Sequence, residues 1–168
     1  MRRALTLMAA MAFVLSSVNS VLAQAKPDFS GKWMMDPASA PPAGGGGGRG
    51  GRGGGAGFGQ EFTAKQDAGT LTITRMQGDQ TVTATYKLDG SESKNTVAGR
   101  GGEPQEQVSK AMWDGSKLVI ATTLNFGGNT VEQKRTLSME GGNLVIEQVN
   151  PGRGGGEPTT TRVVYKKS

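Results

Sequence analysis

The chain has 168 residues, contains neither cysteine nor histidine, and carries a formal net charge of +5. Without cysteine there are no disulfide bonds, so the fold must be stabilised by buried apolar surface. The same two absences remove the commonest general base, the thiol nucleophile and the usual transition-metal ligands. We therefore expect no enzymatic activity, no metal site and no cofactor.

The first residues have the composition of a secretory signal peptide. Arg2 and Arg3 form a basic start, and residues 4–15 are apolar but too few to span a bilayer. Val21–Ala23 and Ala23–Ala25 both fit a cleavage site, so the mature chain would start near Gln24 or Lys26. We expect residues 1–23 to be removed and the product to be periplasmic or secreted, without a transmembrane segment. No cysteine follows the apolar run, which excludes a lipid anchor. The alternative is a retained membrane anchor.

The charge of the remaining chain is mild. Without Arg2 and Arg3, seventeen Lys and Arg remain against fourteen Asp and Glu, a net charge of +3. A nucleic-acid-binding protein needs a concentrated basic face, which this sequence lacks outside its glycine-rich segments. Residues 26–168 are enough for a single domain with a substantial core, and nucleic acid is not expected as a partner.

Alternation of apolar and polar residues dominates this domain, and helical periodicity is almost absent. β-branched residues, threonine above all, are abundant and favour strands. The pattern predicts ten strands, near 29–35, 61–66, 70–76, 80–88, 94–98, 106–113, 116–125, 130–139, 143–149 and 159–167.

Two kinds of chain reversal separate these strands. Tight acidic-glycine turns suit hairpins, because glycine accepts a positive φ. They occur at residues 67–69, 89–90, 114–115 and 140–142, whereas glycine-rich segments with arginine occur at 44–59, 99–104 and 152–158. Antiparallel neighbours would bring the tight turns to one end and the arginine loops to the other. We predict an all-β, up-and-down antiparallel meander closed into a barrel of about 8–10 strands, because closure removes exposed sheet edges.

Residues 37–59 interrupt the strand pattern. After Pro41 and Pro42, the tract is nearly all glycine apart from Arg49, Arg52 and Phe58 among a few others. Such a segment buries too little surface to offset its ordering entropy, so we expect a disordered loop. A low-complexity expansion without function is the simplest interpretation.

The domain begins with Asp28-Phe29-Ser30-Gly31-Lys32-Trp33, which resembles the first-strand G-x-W signature of the lipocalin-like barrels. The resemblance implies that Gly31 lets the chain pass close at the barrel base and that Trp33 plugs the closed end. It also implies that a late-strand arginine, Arg162 by position, packs against Trp33. The loop after the first strand would lie at the open end as a lid.

Candidate ligand contacts follow from the strand alternation. An apolar ligand would lie among inward residues: Trp33, Tyr86, Leu118, Ile120 and Leu137. Arg135 shares a face with its apolar neighbours and would bind an anionic end of the ligand, because an unpaired buried guanidinium is costly. Arg75 also faces inward but ends its predicted strand. An internal ion pair, or a side chain that reaches solvent, is the alternative for both.

Two functions remain open on the sequence. The first is a secreted, non-enzymatic, lipocalin-like protein that binds a small apolar or amphipathic ligand. The alternative is a cell-envelope protein with a filled interior that contacts anionic polymers through loop arginines. Glycine-rich backbone with fixed positive charge suits anions. The loop residues concerned are Arg49, Arg52, Arg100 and Arg153.

Overall fold

The computed structural model describes residues 25–41, 58–98, 103–126, 129–150 and 156–168. The predicted signal peptide, the four loop arginines and most of the glycine-rich tract lie outside these ranges. Among the described residues, no helix is long and apolar enough to cross a bilayer.

The fold is all-β, and the prediction of an up-and-down antiparallel meander is confirmed. One short 3₁₀ helix, Pro37–Ser39, follows the first strand. The ten strands are β1 (Gly31–Met35), β2 (Glu61–Gln66), β3 (Thr70–Gln77), β4 (Gln80–Lys87), β5 (Asp89–Ala98), β6 (Pro104–Asp114), β7 (Lys117–Phe126), β8 (Asn129–Glu140), β9 (Asn143–Asn150) and β10 (Thr159–Lys167). Only the fifth differs markedly from its predicted position, since it begins at Asp89.

The sheet closes through its first and last strands. It has ten strands in the order β4-β3-β2-β1-β10-β9-β8-β7-β6-β5, so β1 pairs with both β2 and β10. Trp33 of β1 lies opposite Phe62 on one side and Lys167 on the other. The two outer strands, β4 and β5, are consecutive in the chain, and the barrel is therefore nearly closed.

Side chains close the seam between β4 and β5. The Lys87 amide donates to Ser93 Oγ at 2.8 Å. The Thr85 amide donates to Asn95 Oδ1 at 2.8 Å, and Asn95 Nδ2 donates back to the Thr85 carbonyl at 3.0 Å. The Asn95 amide group thus replaces a backbone peptide where the two strands form no ladder.

The barrel has two distinct ends. Hairpins with positive-φ glycines, such as Gly90, Gly115 and Gly141, lie at what we call the turn end. The strands that flank residues 42–57, 99–102 and 151–155 all end at the opposite end, which we call the loop end. One tight hairpin, at Gly78 between β3 and β4, also lies at the loop end. With that exception, the strand order separates the two kinds of reversal as predicted.

Trp33 closes the turn end, but its cationic neighbour is not the predicted one. Trp33 is fully buried and donates from Nε1 to the Phe29 carbonyl at 2.8 Å. Lys167 Nζ lies 5.6 Å from the centre of the Trp33 ring. Arg162 instead faces outward and pairs with Glu140 at 2.6 Å. The prediction for Arg162 was wrong because β10 turns its neighbour Val163 inward, which forces Arg162 to the outer face.

Gly31 behaves as the resemblance implies. Its φ is +141°, and a Cβ built on it would lie 2.6 Å from Lys167 Cε. The chain therefore passes close to β10 at this point, which only glycine permits without displacing the lysine.

Both described ends of the glycine-rich segment are ordered, unlike the expectation for residues 37–59. Asp36 caps the 3₁₀ helix through the Ala38 amide, and Ser39 Oγ donates to carbonyl oxygens that include that of Val164. At the other end, Phe58 is only 3% exposed. The segment is thus anchored on both sides of residues 42–57.

Replacing Asn95 with Ala should weaken the seam selectively. We expect a loss of about 1 kcal/mol in the free energy of unfolding, because the Thr85 amide and carbonyl lose their shared partner. Hydrogen exchange at the Thr85 amide should accelerate. Asn125→Ala is the matched control, since the Asn125 side chain accepts from the Thr130 hydroxyl between two strands that are paired by a ladder. Equal exchange at Thr85 in wild type and Asn95→Ala would contradict this account.

Candidate functional site

The apolar residues predicted to contact a ligand lie in the packed core. Trp33, Leu118, Ile120 and Leu137 are 0% exposed, and Tyr86 is 5% exposed. These five side chains therefore belong to the buried core of the turn-end half. Their contact with a ligand stays a prediction.

Accessible apolar surface lies nearer the loop end. By strand register, Leu124 of β7 and Val131 of β8 face the interior opposite each other. Val82 and Ala84, two residues apart on β4, also face the interior, opposite Arg75 and Ile73. All four are partly exposed. These positions, rather than the core residues, offer apolar surface to a molecule inside the barrel.

Register places both inward arginines at the level where the filled core ends. Arg135 lies between Ile120 on β7 and Gln148 on β9, both of which are inward. Arg75 lies opposite Val82, and β3 continues beyond it to Gln77. Arg75 therefore does not end its strand, and the sequence interpretation gave it too little weight.

Two tyrosines complete what we call the arginine–tyrosine cluster: Arg75, Arg135, Tyr86 and Tyr165. Burial raises the pKa of Tyr86, and the two guanidinium groups partly oppose that shift. Burial likewise raises the pKa of Tyr165 to about 12. Desolvation is also the main cause that lowers the pKa of Arg135, which still remains a cation at neutral pH. The cluster is therefore a positively charged site in which both tyrosines are buried and both arginines are half-buried.

No carboxylate balances this charge within the described ranges. The ion pairs formed there involve Lys32, Lys94, Lys110, Arg162 and Lys166, all on the outer surface. Inward strand positions in the described ranges carry no Asp or Glu. Glu132, for example, is exposed. The alternative of an internal ion pair for Arg75 or Arg135 therefore finds no partner in the part of the chain that the structure describes.

An amide network holds Arg135 in place. Its Nε donates to Gln148 Oε1 at 2.9 Å. Gln148 Nε2 and Gln133 Nε2 both donate to Asn150 Oδ1 at 2.8 Å. These bonds orient the side-chain amide of Gln148 so that its oxygen faces Arg135. Of the five N–H donors of Arg135, the network uses one. Among the described residues, the Nη groups of Arg135 have no acceptor, so they are available to an anion.

Phe58 fills the space above the core and contacts the whole cluster. Its ring packs edge-on against Phe62, with centroids 5.2 Å apart, and lies 6.3 Å from Tyr86. Arg135 Cζ is 5.6 Å from the Phe58 ring centre. Arg75 Nη1 donates to the Phe58 carbonyl at 3.2 Å. The hydroxyl of Tyr165 accepts from the Phe58 amide at 3.3 Å and donates to the Gly59 carbonyl at 2.8 Å.

Sequence reasoning missed three members of this site. Tyr165 and Gln148 occupy inward positions of their strands, and the alternation of β9 and β10 could have placed them. Phe58 gave a weaker signal, as the last aromatic residue of a glycine-rich tract. The predicted anion-binding residues Arg49, Arg52, Arg100 and Arg153 lie outside the described residues, and their role stays a prediction.

Comparison with known proteins identifies the fold class. No family model and no curated protein matches the chain. Among solved structures, the fatty acid transporter REP1-NXSQ matches with a TM-score of 0.51 at 11% identity, over 83% of this chain and 95% of that chain. The fluorescent protein UnaG matches with a TM-score of 0.52 at 14% identity, over 83% and 97%. A point variant of UnaG gives 0.53 at 16%, over 83% and 96%.

These similarities show the fold alone. They place the chain among small up-and-down antiparallel barrels, and the lipocalin-like resemblance is thereby confirmed as a resemblance of fold. Membership of the lipocalin family itself stays a prediction.

The buried Tyr165 should make stability depend on alkaline pH. Its pKa is about 12 in the folded protein against an ordinary value of 10.0, so the unfolded chain loses this proton first. The contribution of protonated Tyr165 to the free energy of unfolding is fully present below pH 10 and is lost as the pH rises towards 12. Between pH 10 and 11.5 the loss should be roughly 1.5 kcal/mol. Urea unfolding of wild type and Tyr165→Phe across this range measures it. An equal loss in both proteins would contradict the assignment.

Proposed function

We propose that the protein is a secreted, non-enzymatic carrier that binds a small amphipathic molecule with an anionic group inside the barrel. Arg135 and Arg75 contact the anionic group. The apolar part lies against the partly exposed inward side chains near the loop end, Val82, Ala84, Leu124 and Val131.

One observation carries this proposal: two inward, half-buried guanidinium groups lie beside buried tyrosines, with no carboxylate at the inward positions of the described residues. A buried charge without a counter-charge costs several kcal/mol, and a protein keeps such a charge where a ligand supplies the partner. Carboxylate and phosphate match the planar fork of arginine. The amide network of Gln133, Gln148 and Asn150 strengthens the argument, because it orients Arg135 before any ligand arrives.

The structural neighbours support the same class of function. One of them is named as a fatty acid transporter, a carrier of an amphipathic anion. The signal-peptide composition of residues 1–23 supports export. Apolar ligand surface buried in the barrel contributes roughly 25 cal/mol per Å², less the cost of ordering the ligand.

Native mass spectrometry of protein purified from its own host tests the proposal directly. We expect a co-purifying small anion, released on denaturation and detected in negative-ion mode. The proposal is wrong if the protein carries no such mass and also fails to bind laurate or 1-anilinonaphthalene-8-sulfonate in solution.

Arg135→Gln should separate charge recognition from apolar contact. Calorimetric titration with laurate should show about a tenfold or greater loss of affinity, because a charge-assisted hydrogen bond contributes about 1.5–3 kcal/mol. Dodecanol, which has the same chain length without the charge, should bind wild type and variant alike. Arg162→Gln is the matched control, since Arg162 lies on the outer face. Equal losses in the two arginine variants would contradict a role for Arg135 in the site.

A further inference from the structure

The arginine–tyrosine cluster is already occupied by the chain itself. We call Phe58 and Gly59 the Phe58 plug. The ring of Phe58 is buried against Phe62 and Tyr86, and its carbonyl accepts from Arg75. An aromatic ring and an oxygen acceptor thus stand where an amphipathic ligand would place its apolar and anionic groups.

We propose that the Phe58 plug is an internal stand-in for the ligand, so that the barrel binds a compact aromatic carboxylate that displaces it. The inference rests on the proposed function and adds the ligand class and the competing element. The ring of the ligand takes the position of the Phe58 ring. The carboxylate takes the position of the Phe58 carbonyl on Arg75 and adds the negative charge that the carbonyl lacks.

The covalent path within Phe58 defines the smallest member of this class. In phenylalanine the ring joins the carbonyl carbon through two carbons, Cβ and Cα. In 3-phenylpropionate the ring joins the carboxylate carbon through the same two-carbon path. The core side chains below Phe58 are 0% exposed, so a longer apolar chain such as that of laurate can extend only towards the loop end.

The backbone of the plug can release without disturbing the barrel. Gly59 has a φ of +105°, which side-chain-bearing residues rarely adopt, and an added Cβ there would touch nothing within 4 Å. Among the described residues, three hydrogen bonds hold the plug: from Arg75 to Phe58, from Phe58 to Tyr165, and from Tyr165 to Gly59. Neither residue belongs to a strand, since β2 begins at Glu61. Displacement therefore breaks no ladder hydrogen bond.

When the plug occupies the site, the apparent affinity equals the intrinsic affinity multiplied by the fraction of molecules in which the site is open. Phe58→Ala removes the competing ring, and 3-phenylpropionate should bind at least about tenfold more tightly. That variant alone is not decisive, because an emptied aromatic-sized space can bind apolar molecules for its own sake. It can also fail to fold, since it deletes a buried side chain.

Gly59→Ala resolves both difficulties. This variant keeps the Phe58 ring and strains the backbone only in the conformation in which Phe58 occupies the site. Any gain in affinity therefore comes from release of the plug. We expect binding of 3-phenylpropionate to tighten roughly fivefold or more. Gly141→Ala is the matched control: Gly141 also has positive φ (+57°) and free space around its Cβ, but it lies at the turn end. That control should lose stability without a change in affinity.

Two further measurements complete the test. Wild type should prefer 3-phenylpropionate over its neutral amide by about tenfold, and Arg75→Gln should abolish that preference. Bound 3-phenylpropionate should accelerate hydrogen exchange at the Phe58 amide, because displacement breaks its bond to the Tyr165 hydroxyl. If ligand slows exchange there, or if Gly59→Ala binds no more tightly than wild type, the plug is part of the binding wall and the inference is wrong.

The outcomes separate this inference from the proposed function. Folded variants that bind laurate but show no effect of Gly59→Ala refute the plug and leave the carrier intact. If folded wild type, Phe58→Ala and Gly59→Ala bind neither laurate nor 3-phenylpropionate, both proposals fail together.

Discussion

Pairing of the first strand with the last is the constraint on which the rest of the structure depends. Without the β1–β10 ladder the meander would be an open sheet with one face of large apolar side chains exposed to water. Closure gives each strand an inside and an outside. Period-2 alternation then decides, residue by residue, which side chains enter the core and which meet solvent. Trp33 lies at the junction itself, between β2 and β10.

Once the barrel is closed, position along its axis determines what each inward side chain can do. The inward side chains of the turn-end half are buried. Above them, Arg135 places charge where burial disfavours it, and the tyrosines beside it stay protonated because burial raises their pKa. Within the part of the chain that the structure describes, the register brings no carboxylate to this cluster. On the outer surface of the barrel, by contrast, five ion pairs place opposite charges together.

Much of this was accessible from the sequence, for identifiable reasons. Ten strands and two ends follow from local signals, alternation and turn residues, which need no tertiary information. Arg135 was found in the same way. Arg162 was misplaced because its role was carried over by position, whereas the parity of β10 puts Val163 and Tyr165 inside. Phe58 could not be placed, since a glycine tract has no periodicity and its burial depends on contacts with β3, β4 and β10.

The contacts of Phe58 stabilise the unliganded fold and, in the proposed carrier, lower the affinity for the ligand. Every contact that holds its ring and carbonyl in the unliganded protein satisfies the cluster and stabilises the fold, and each must be replaced when a ligand enters. A neutral carbonyl is a weaker partner for Arg75 than a carboxylate, so the exchange favours an anion over a neutral molecule of the same shape. An uncharged apolar molecule would regain the ring contacts but leave a dehydrated guanidinium without its acceptor. The Phe58 plug therefore makes the proposed site selective. It lowers the affinity for every ligand, and it does so least for a ligand that carries both an aromatic ring and a carboxylate.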